Sequence, residues 1–437
     1  MARRAPHARQ CVKVDGMATA RVPAPGRCTR LPPPPNRVTS LSRRASALAF
    51  RRTNASASSL AAVSGSASLP ALDAPPPSDP RTGTTRSLFC FGLGYTSLGL
   101  AETLRRAGWR VAGTCRSAER ARALEAAGIP AFVWCPDEKK FLGDDGAAAL
   151  RDATHVLVSV PPTEREISRE HNREEPFSMD PVLADAACVA ALERSGAETN
   201  EIAWLAYLSS TGVYGDHAGK FVDETSPCAP TTAKTRARLD AEQSWAAFAT
   251  ALGFPLRVFR LGGVYGPRRS LLDAAARANG SETATSSEKK KSSRFSRAFV
   301  ARCHVRDVVA ILCASARLAD DEDDAARDAD SNASSSNAFF DSNVRTYNAA
   351  DDAPAPRAVA LAFAAALLSD VDVRNESGRS VKGKNKIKND RGEKRVRNDR
   401  AKTELGVAFA FPTYKEGLAA VADGDPSPFS DATLDVL

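Results

Sequence analysis

A layered α/β fold, with a doubly wound parallel sheet and a smaller, mostly helical C-terminal lobe, is predicted by three features of the sequence. Short apolar runs alternate with helical stretches after about residue 86. A glycine turn joins the first run to the first helical stretch. Beyond Gly266 the alternation decays, and polar low-complexity segments interrupt it. Strands alternating with helices imply a parallel sheet wrapped on both faces, and right-handed crossovers make a Rossmann-type layer the default.

The first apolar run, 87–92, ends in glycines; a helical pattern follows over 95–107, and a second run over 109–114 stops at Thr114, Cys115 and Arg116. A helix over 117–126 leads to a strand over 131–134, and a helix over 144–151 to one over 154–160. Helix 181–195 precedes strand 203–208, and a helix over about 232–252 precedes strand 255–261. Polar stretches at 279–293, 320–337 and 374–400 read as solvated insertions. Between them 304–319, 345–354, 355–368 and 405–421 read as core pieces of the smaller lobe.

Charge is distributed unevenly. The first 87 residues hold 14 Lys or Arg against three acids, so the net +8 of the chain belongs to them and the remainder is slightly acidic. This stretch is rich in Arg, Ser, Ala and Pro and contains no glutamate. Residues 1–86 are therefore expected to be a disordered leader or organelle transit peptide, for a chloroplast or alternatively a mitochondrion. No apolar stretch is long enough to span a bilayer. Nine scattered cysteines without CxxC spacing and five dispersed histidines suggest no disulfide framework and no metal site.

The turn Gly92-Leu93-Gly94-Tyr95-Thr96-Ser97 sits where a dinucleotide fingerprint belongs. The first glycine makes the tight turn, the second lets the backbone approach a pyrophosphate, and the helix start holds the anion. Serine replaces the third glycine, a small residue whose hydroxyl is available to cap a phosphate oxygen. After the second strand stand Thr114, Arg116 and Ser117, with no acid before Glu119. An arginine there suits a 2′-phosphate, so NADP(H) is expected over NAD(H). Ser159 and Val160 after the fourth strand, and Leu261 and Gly262 after the sixth, complete the expected cofactor site. The domain map that follows is 87–262 for the NAD(P)-binding part and 263–437 for the substrate lobe.

Several stretches together resemble the extended short-chain dehydrogenase/reductase family, the NAD-dependent epimerase/dehydratase superfamily. They are the glycine turn, "AYLSSTGVYGD" at 206–216, "VDETSPCAP" at 222–230, "RLGGVYGPRRS" at 260–270, "RCHVRDVV" at 302–309 and "YNAADD" at 347–352. The glycine turn, "STGVYGDHAGKFVDE" and "FPTYKEGLAAV" resemble an atypical branch of bacteria and plastid-bearing organisms. The resemblance implies an NADP(H) site and a catalytic helix carrying Tyr-x-x-x-Lys. Here that helix reads "TTAKTRARLDAEQSW", with Lys234 in the tyrosine place and Arg238 in the lysine place. Ser210 falls where the family's hydrogen-bonding Ser or Thr stands, and Tyr214, His217 and Glu224 fall on the loop over the nicotinamide. Arg260 and Tyr265 are implied to line the substrate cleft; His304 and Asp307 are implied to order the C-terminal lobe.

Two readings follow. One is an NADP(H)-dependent oxidoreductase or epimerase acting on a small carbonyl, hydroxyl or nucleotide-sugar-like substrate, with Ser210 as hydrogen-bond donor and a non-tyrosine proton source. The other is an NADP-binding sensor or scaffold that has lost its chemistry, touching RNA through the basic stretch 382–400. That stretch lacks interleaved aromatics, which argues against nucleic acid. A small-molecule partner is expected, and a homo-oligomer is left open.

Overall fold

The computed structural model describes residues 72–78, 83, 85–138, 140–163, 180–197, 202–279, 299–329, 343–369 and 393–437, without side chains at 195–197, 278–279 and 320–329. The leader apart from 72–78, 83, 85 and 86, and most of the three low-complexity stretches, lie outside these residues.

Strand β1 (Ser87–Phe91) is buried along its whole length. Leu88 and Cys90 enter one core cluster, while Phe89 and Phe91 enter another on the opposite face. A strand covered on both sides reads as a continuous apolar run for this reason. The chain continues through α1 (Tyr95–Arg106), β2 (Arg110–Cys115), α2 (Ala118–Ala126) and β3 (Ala131–Val133). It returns through α3 (Asp144–Arg151), β4 (His155–Val158), α4 (Ala186–Ala197) and β5 (Trp204–Ser210). After the short strand β6 (Phe221–Val222) come α5 (Ala233–Leu252), β7 (Leu256–Leu261), β8 (Gly263–Tyr265) and α6 (Leu271–Asn279). Then follow β9 (Arg302–His304), α7 (Val305–Ala329), β10 (Val344–Ala349), α8 (Arg357–Leu368) and β11 (Arg395–Val396). The last elements are α9 (Asp399–Glu404), α10 (Tyr414–Ala422) and α11 (Asp431–Val436).

Seven strands form one parallel sheet in the order β10-β7-β5-β4-β1-β2-β3. The winding reverses between β1 and β4, which opens a crevice at their carboxyl ends, where sheets of this kind bind ligands. Gly113 lets β2 lie close to β1 and the turn after it, because a Cβ there would stand 2.6 Å from the Cys90 carbonyl oxygen and 2.9 Å from Leu93 Cγ. Helix α5, which carries Lys234 and Arg238, starts at a Thr232/Thr235 capping box and stops at Gly253 in the left-handed conformation.

Three segments differ from the sequence expectation. Residues 263–437 do not all form a separate lobe: β10 pairs with β7 in the main sheet, and α7 packs on α1 across one of its faces. Tyr347 and Ala349 are fully buried there, which a helical lobe would not provide. The smaller lobe consists of the β8–β9 ladder with α6, α8 and α10, around Tyr265, Leu272, Ala360, Ala364 and Leu418. The basic stretch 374–400 also ends earlier than its composition suggests. Residues 393–400 join the structure: β11 pairs with β6, and Lys394 is buried with its Nζ donating to the Gly215 carbonyl at 2.9 Å. The acidic stretch likewise begins inside α7, whose backbone runs to Ala329.

Candidate functional site

The glycine turn is held from three sides. Gly92 has φ +87°, and a Cβ on it would stand 3.0 Å from Val160 Cγ2 and 3.1 Å from Ser159 Oγ. Its N–H donates to Thr114 Oγ1 at 2.9 Å, and its carbonyl accepts from Ser97 Oγ at 2.5 Å and from Ser159 Oγ at 2.6 Å. Ser97 is completely buried and also accepts from the Gly94 N–H at 2.9 Å. The expectation that its hydroxyl caps a phosphate is thereby corrected. It fills the place of the third glycine by stapling the turn, because a small side chain at the third helical position reaches back to the turn's own polar groups. Gly94 faces open space, with nothing nearer to a notional Cβ than Ser97 Oγ at 4.0 Å. Tyr95 and Thr96 begin α1, where backbone N–H groups have no acceptor within the helix. Alanine at 92 meets both a left-handed backbone and a filled space, so Gly92→Ala is expected to abolish dinucleotide binding, measured by fluorescence titration alongside a melting curve.

A cavity of about 810 Å³ opens over this turn. Leu93, Gly94 and Tyr95 line it, with Ser159 and Val160 from the end of β4 and Thr114 and Arg116 from the end of β2. The dimensions suit a dinucleotide, and the close backbone approach at Gly92 and Gly94 is what a pyrophosphate requires. Arg116 is exposed; Lys140 holds the Glu138 carboxyl below its usual range, with a smaller contribution from the charge of Arg116. Ser117 does not line the cavity; its side chain accepts from the Arg120 N–H at 3.2 Å as the N-cap of α2. Arg120 and the pair Arg268 and Arg269 do line it. The sequence reading missed all three, although Arg268 and Arg269 directly follow the YGP turn.

Beside this space lies a cavity of about 680 Å³ lined by Ser210, Lys234, Leu261 and Gly262, with Lys394 delivered by the segment before β11. Ser210 Oγ accepts from the Gly212 N–H at 3.1 Å, which leaves its own hydrogen available to a ligand. A third cavity, of about 1150 Å³, is lined by Arg268, Arg269, Arg277, Arg302 and Arg357, with Asp273 as the one acid among the described residues that line it. Tyr265 lines this third cavity, and Lys234 lines all three. Lys234 thus stands at their junction.

Four more expected site residues, besides Ser117, lie elsewhere. Arg238 lines none of the three cavities; its Nη1 donates to the Leu208 carbonyl at 2.8 Å and to the Tyr207 hydroxyl at 3.2 Å. Tyr214 is fully buried, donating to Asn348 Oδ1 at 2.8 Å. Arg260 is buried against Glu242, with Nη2–Oε2 at 2.7 Å, and lies over the Tyr214 ring. The His217 ring is directed at the carbonyls of Tyr214 and Pro227, 3.0 and 3.2 Å away. In each case a nearer protein partner takes the polar group. Glu224 accepts from the Asn348 N–H at 2.8 Å, fastening its loop to β10, and burial pushes its carboxyl up.

The C-terminal lobe is tied down by Asp307, which accepts from the Ala410 and Phe411 N–H groups at 2.7 and 3.1 Å. Burial holds Asp307 up to about 6 and lowers His304 to about 3, so the imidazole stays neutral between the Tyr265 and Phe411 rings. Beneath the arginine-lined cavity, Asp351 is buried next to Arg302, and desolvation pushes it up to about 8 against the pull of that arginine. An unfolded aspartate titrates at about 4. The folded state therefore binds one proton more between these values and loses stability as pH rises through about 8. Asp351→Asn keeps the neutral form. It is expected to melt like the wild type at pH 4 and progressively above it between pH 5 and 9, by calorimetry.

Among the described residues no group of three or more His, Cys, Asp or Glu could hold a metal ion, and no helix is long and apolar enough to cross a membrane. Residues 94–326 match the model of the NAD dependent epimerase/dehydratase family. Protein YeeZ of Escherichia coli (strain K12) is 28% identical over 180 residues, which cover 41% of this chain and 58% of that protein. The chain thus matches less than two thirds of that relative's length. A conserved protein of unknown function from Silicibacter pomeroyi DSS has 29% identity and a TM-score of 0.52, over 78% of this chain and 99% of its own. The UDP-glucose 4-epimerase of Thermus thermophilus, solved with NAD, shares the fold at 18% identity and a TM-score of 0.50, over 78% and 98% of the two chains. The glycine turn at the sheet's switch point, the strand-end serine and the matched span together carry one conclusion: the chain belongs to the NAD-dependent epimerase/dehydratase family.

Proposed function

We propose that the protein is an NADP(H)-binding oxidoreductase or epimerase acting on a small carbonyl or hydroxyl compound that carries an anionic group, a nucleotide-sugar-like substrate. The observation that carries this reading is the position of Lys234 at the meeting of the cofactor cavity, the Ser210 cavity and the arginine-lined cavity. The bound nicotinamide would supply or accept the hydride. Gly92, Gly94 and the first turn of α1 would hold its pyrophosphate, and Arg116 its 2′-phosphate. Ser210 donates a hydrogen bond to the reacting oxygen, stabilising charge that develops there. Lys234 exchanges the proton with that oxygen, as an ammonium toward a carbonyl and as an amine toward a hydroxyl. Arg302, Arg357 and their neighbours hold the anionic end, because among the described residues of their cavity the arginines face a single acid, Asp273.

The second reading, an NADP-binding sensor or scaffold without turnover, is favoured by one observation: no tyrosine stands in α5. The two are separated by following NADPH oxidation across carbonyl compounds and nucleotide sugars. Turnover that falls in Ser210→Ala supports the enzyme. Tight NADPH binding with no turnover on any of them would sink it.

A further inference from the structure

One wall of the cavity over the glycine turn is formed by a segment more than 300 residues away in sequence from Arg120. Arg120, on α2, donates from Nη2 to the Leu93 carbonyl of the glycine turn at 3.2 Å. Its Nη1 donates to the Val436 carbonyl at the end of α11 at 2.5 Å. Helix α11 is itself anchored: Ser430 caps it through Thr433, which is completely buried, and Phe429 packs on Tyr95 with ring centroids 5.2 Å apart. Leu437 lines the cavity wall next to this clasp. Both of Arg120's acceptors are neutral carbonyls, and among the described residues no carboxylate forms an ion pair with it. Its charge reaches the end of β2: burial pushes the Cys115 thiol up, and Arg120 pulls against it. Arg116, by contrast, is exposed and shares its field with Glu138.

An arginine fork fixed by two carbonyls keeps Nε–H and its outer N–H groups for an anion, and its plane is set before the ligand arrives. We propose that Arg120 is the residue that discriminates for the cofactor's 2′-phosphate, and that α11 is its positioning element, so that cofactor choice depends on residues 429–437. The inference rests on the NADP(H) reading above. It adds the second arginine and gives a distant helix a part in the cofactor site.

The test uses the full chain and four probes, NADPH, NADH, 2′,5′-ADP and 5′-AMP, titrated by tryptophan fluorescence; Trp134 lines the cavity and reports on its filling. Arg120→Ala, and deletion of 431–437, are each expected to reduce the preference for 2′,5′-ADP over 5′-AMP about tenfold or more, the size expected for losing one charge-assisted contact. Arg122→Ala removes an exposed charge from the same helix and should leave the preference unchanged. Arg120→Lys keeps the charge but loses the fork that joins the two carbonyls, and is expected to fall close to alanine. Wild-type preference in Arg120→Ala, or in the deletion variant with an intact thermal transition, overturns the inference. Should the deletion fail to fold, a lysine variant that discriminates like wild type overturns the clasp in its place. A wild-type protein indifferent to the 2′-phosphate overturns the NADP(H) reading itself, a different failure visible before any variant is made.

Discussion

Alanine at position 242 is expected to destabilise the protein by about 3–5 kcal/mol, read from the shift of a urea or thermal transition. Glu242 and Arg260 have side chains only 7% and 9% exposed, and they are joined at 2.7 Å with further contacts from Arg260 Nε at 3.2 and 3.3 Å. The Ser209 hydroxyl donates to the same carboxylate, and burial of Arg260 is offset by this ion pair, which holds its guanidinium firmly charged. Removing the glutamate leaves a cation without its counter-charge beneath the Tyr214 ring, 4.8 Å from its centre. The single change should therefore cost more than the double change Glu242→Leu, Arg260→Met, which removes both charges together. A double variant as unstable as the single one would show that the loss comes from packing. The pair also matters for the site: it ties α5 to β7 and thereby sets the helix of Lys234 against the strand ends of Ser210 and Leu261.

The largest kinetic effect is expected at Lys234. Replacing it with methionine removes the proton donor and retains an unbranched chain of similar length, and turnover should fall about 10²–10⁴-fold, the range for loss of a general acid or base. NADPH affinity should change little, because the glycine turn is built from other residues. A matching fall in NADPH affinity would place Lys234 in cofactor binding, and unchanged turnover would remove it from the chemistry. Arg238→Ala supplies the contrast. Its guanidinium is tied to Leu208 and Tyr207, so the expected loss is of stability and helix position, with kcat reduced less than in the lysine variant.

Much of the cofactor end was legible in the sequence, because its determinants are local. A strand that ends in Gly92-Leu93-Gly94 and hands over to a helix has few conformations available, and the structure builds the expected turn. The loss of the third glycine was legible; its compensation was not. Ser97 reaches the Gly92 carbonyl five residues back, but Ser159 and Thr114 reach the same turn from β4 and β2. Ser210, Lys234 and Tyr265 line clefts, whereas Leu261 and Gly262, expected against the cofactor, line the Ser210 cavity and not the one over the glycine turn. Tyr214 and Arg260, from equally suggestive motifs, line none of the three, since Asn348 and Glu242 take their polar groups first. Neither partner is near in sequence.

By itself the sequence determined the α/β class, the places along the chain of six strands of the main sheet, the glycine turn and the unusual lysine at 234. These follow from periodicity and turn chemistry, which act within a few residues of each other. The tertiary structure alone decided that β10 returns to the main sheet, that Lys394 and Arg302 line cavities, and that Val436 holds Arg120. The reason is electrostatic as much as geometric. Whether a buried charge serves a ligand or is cancelled by a neighbour depends on which distant elements pack beside it. A one-dimensional pattern does not contain that information.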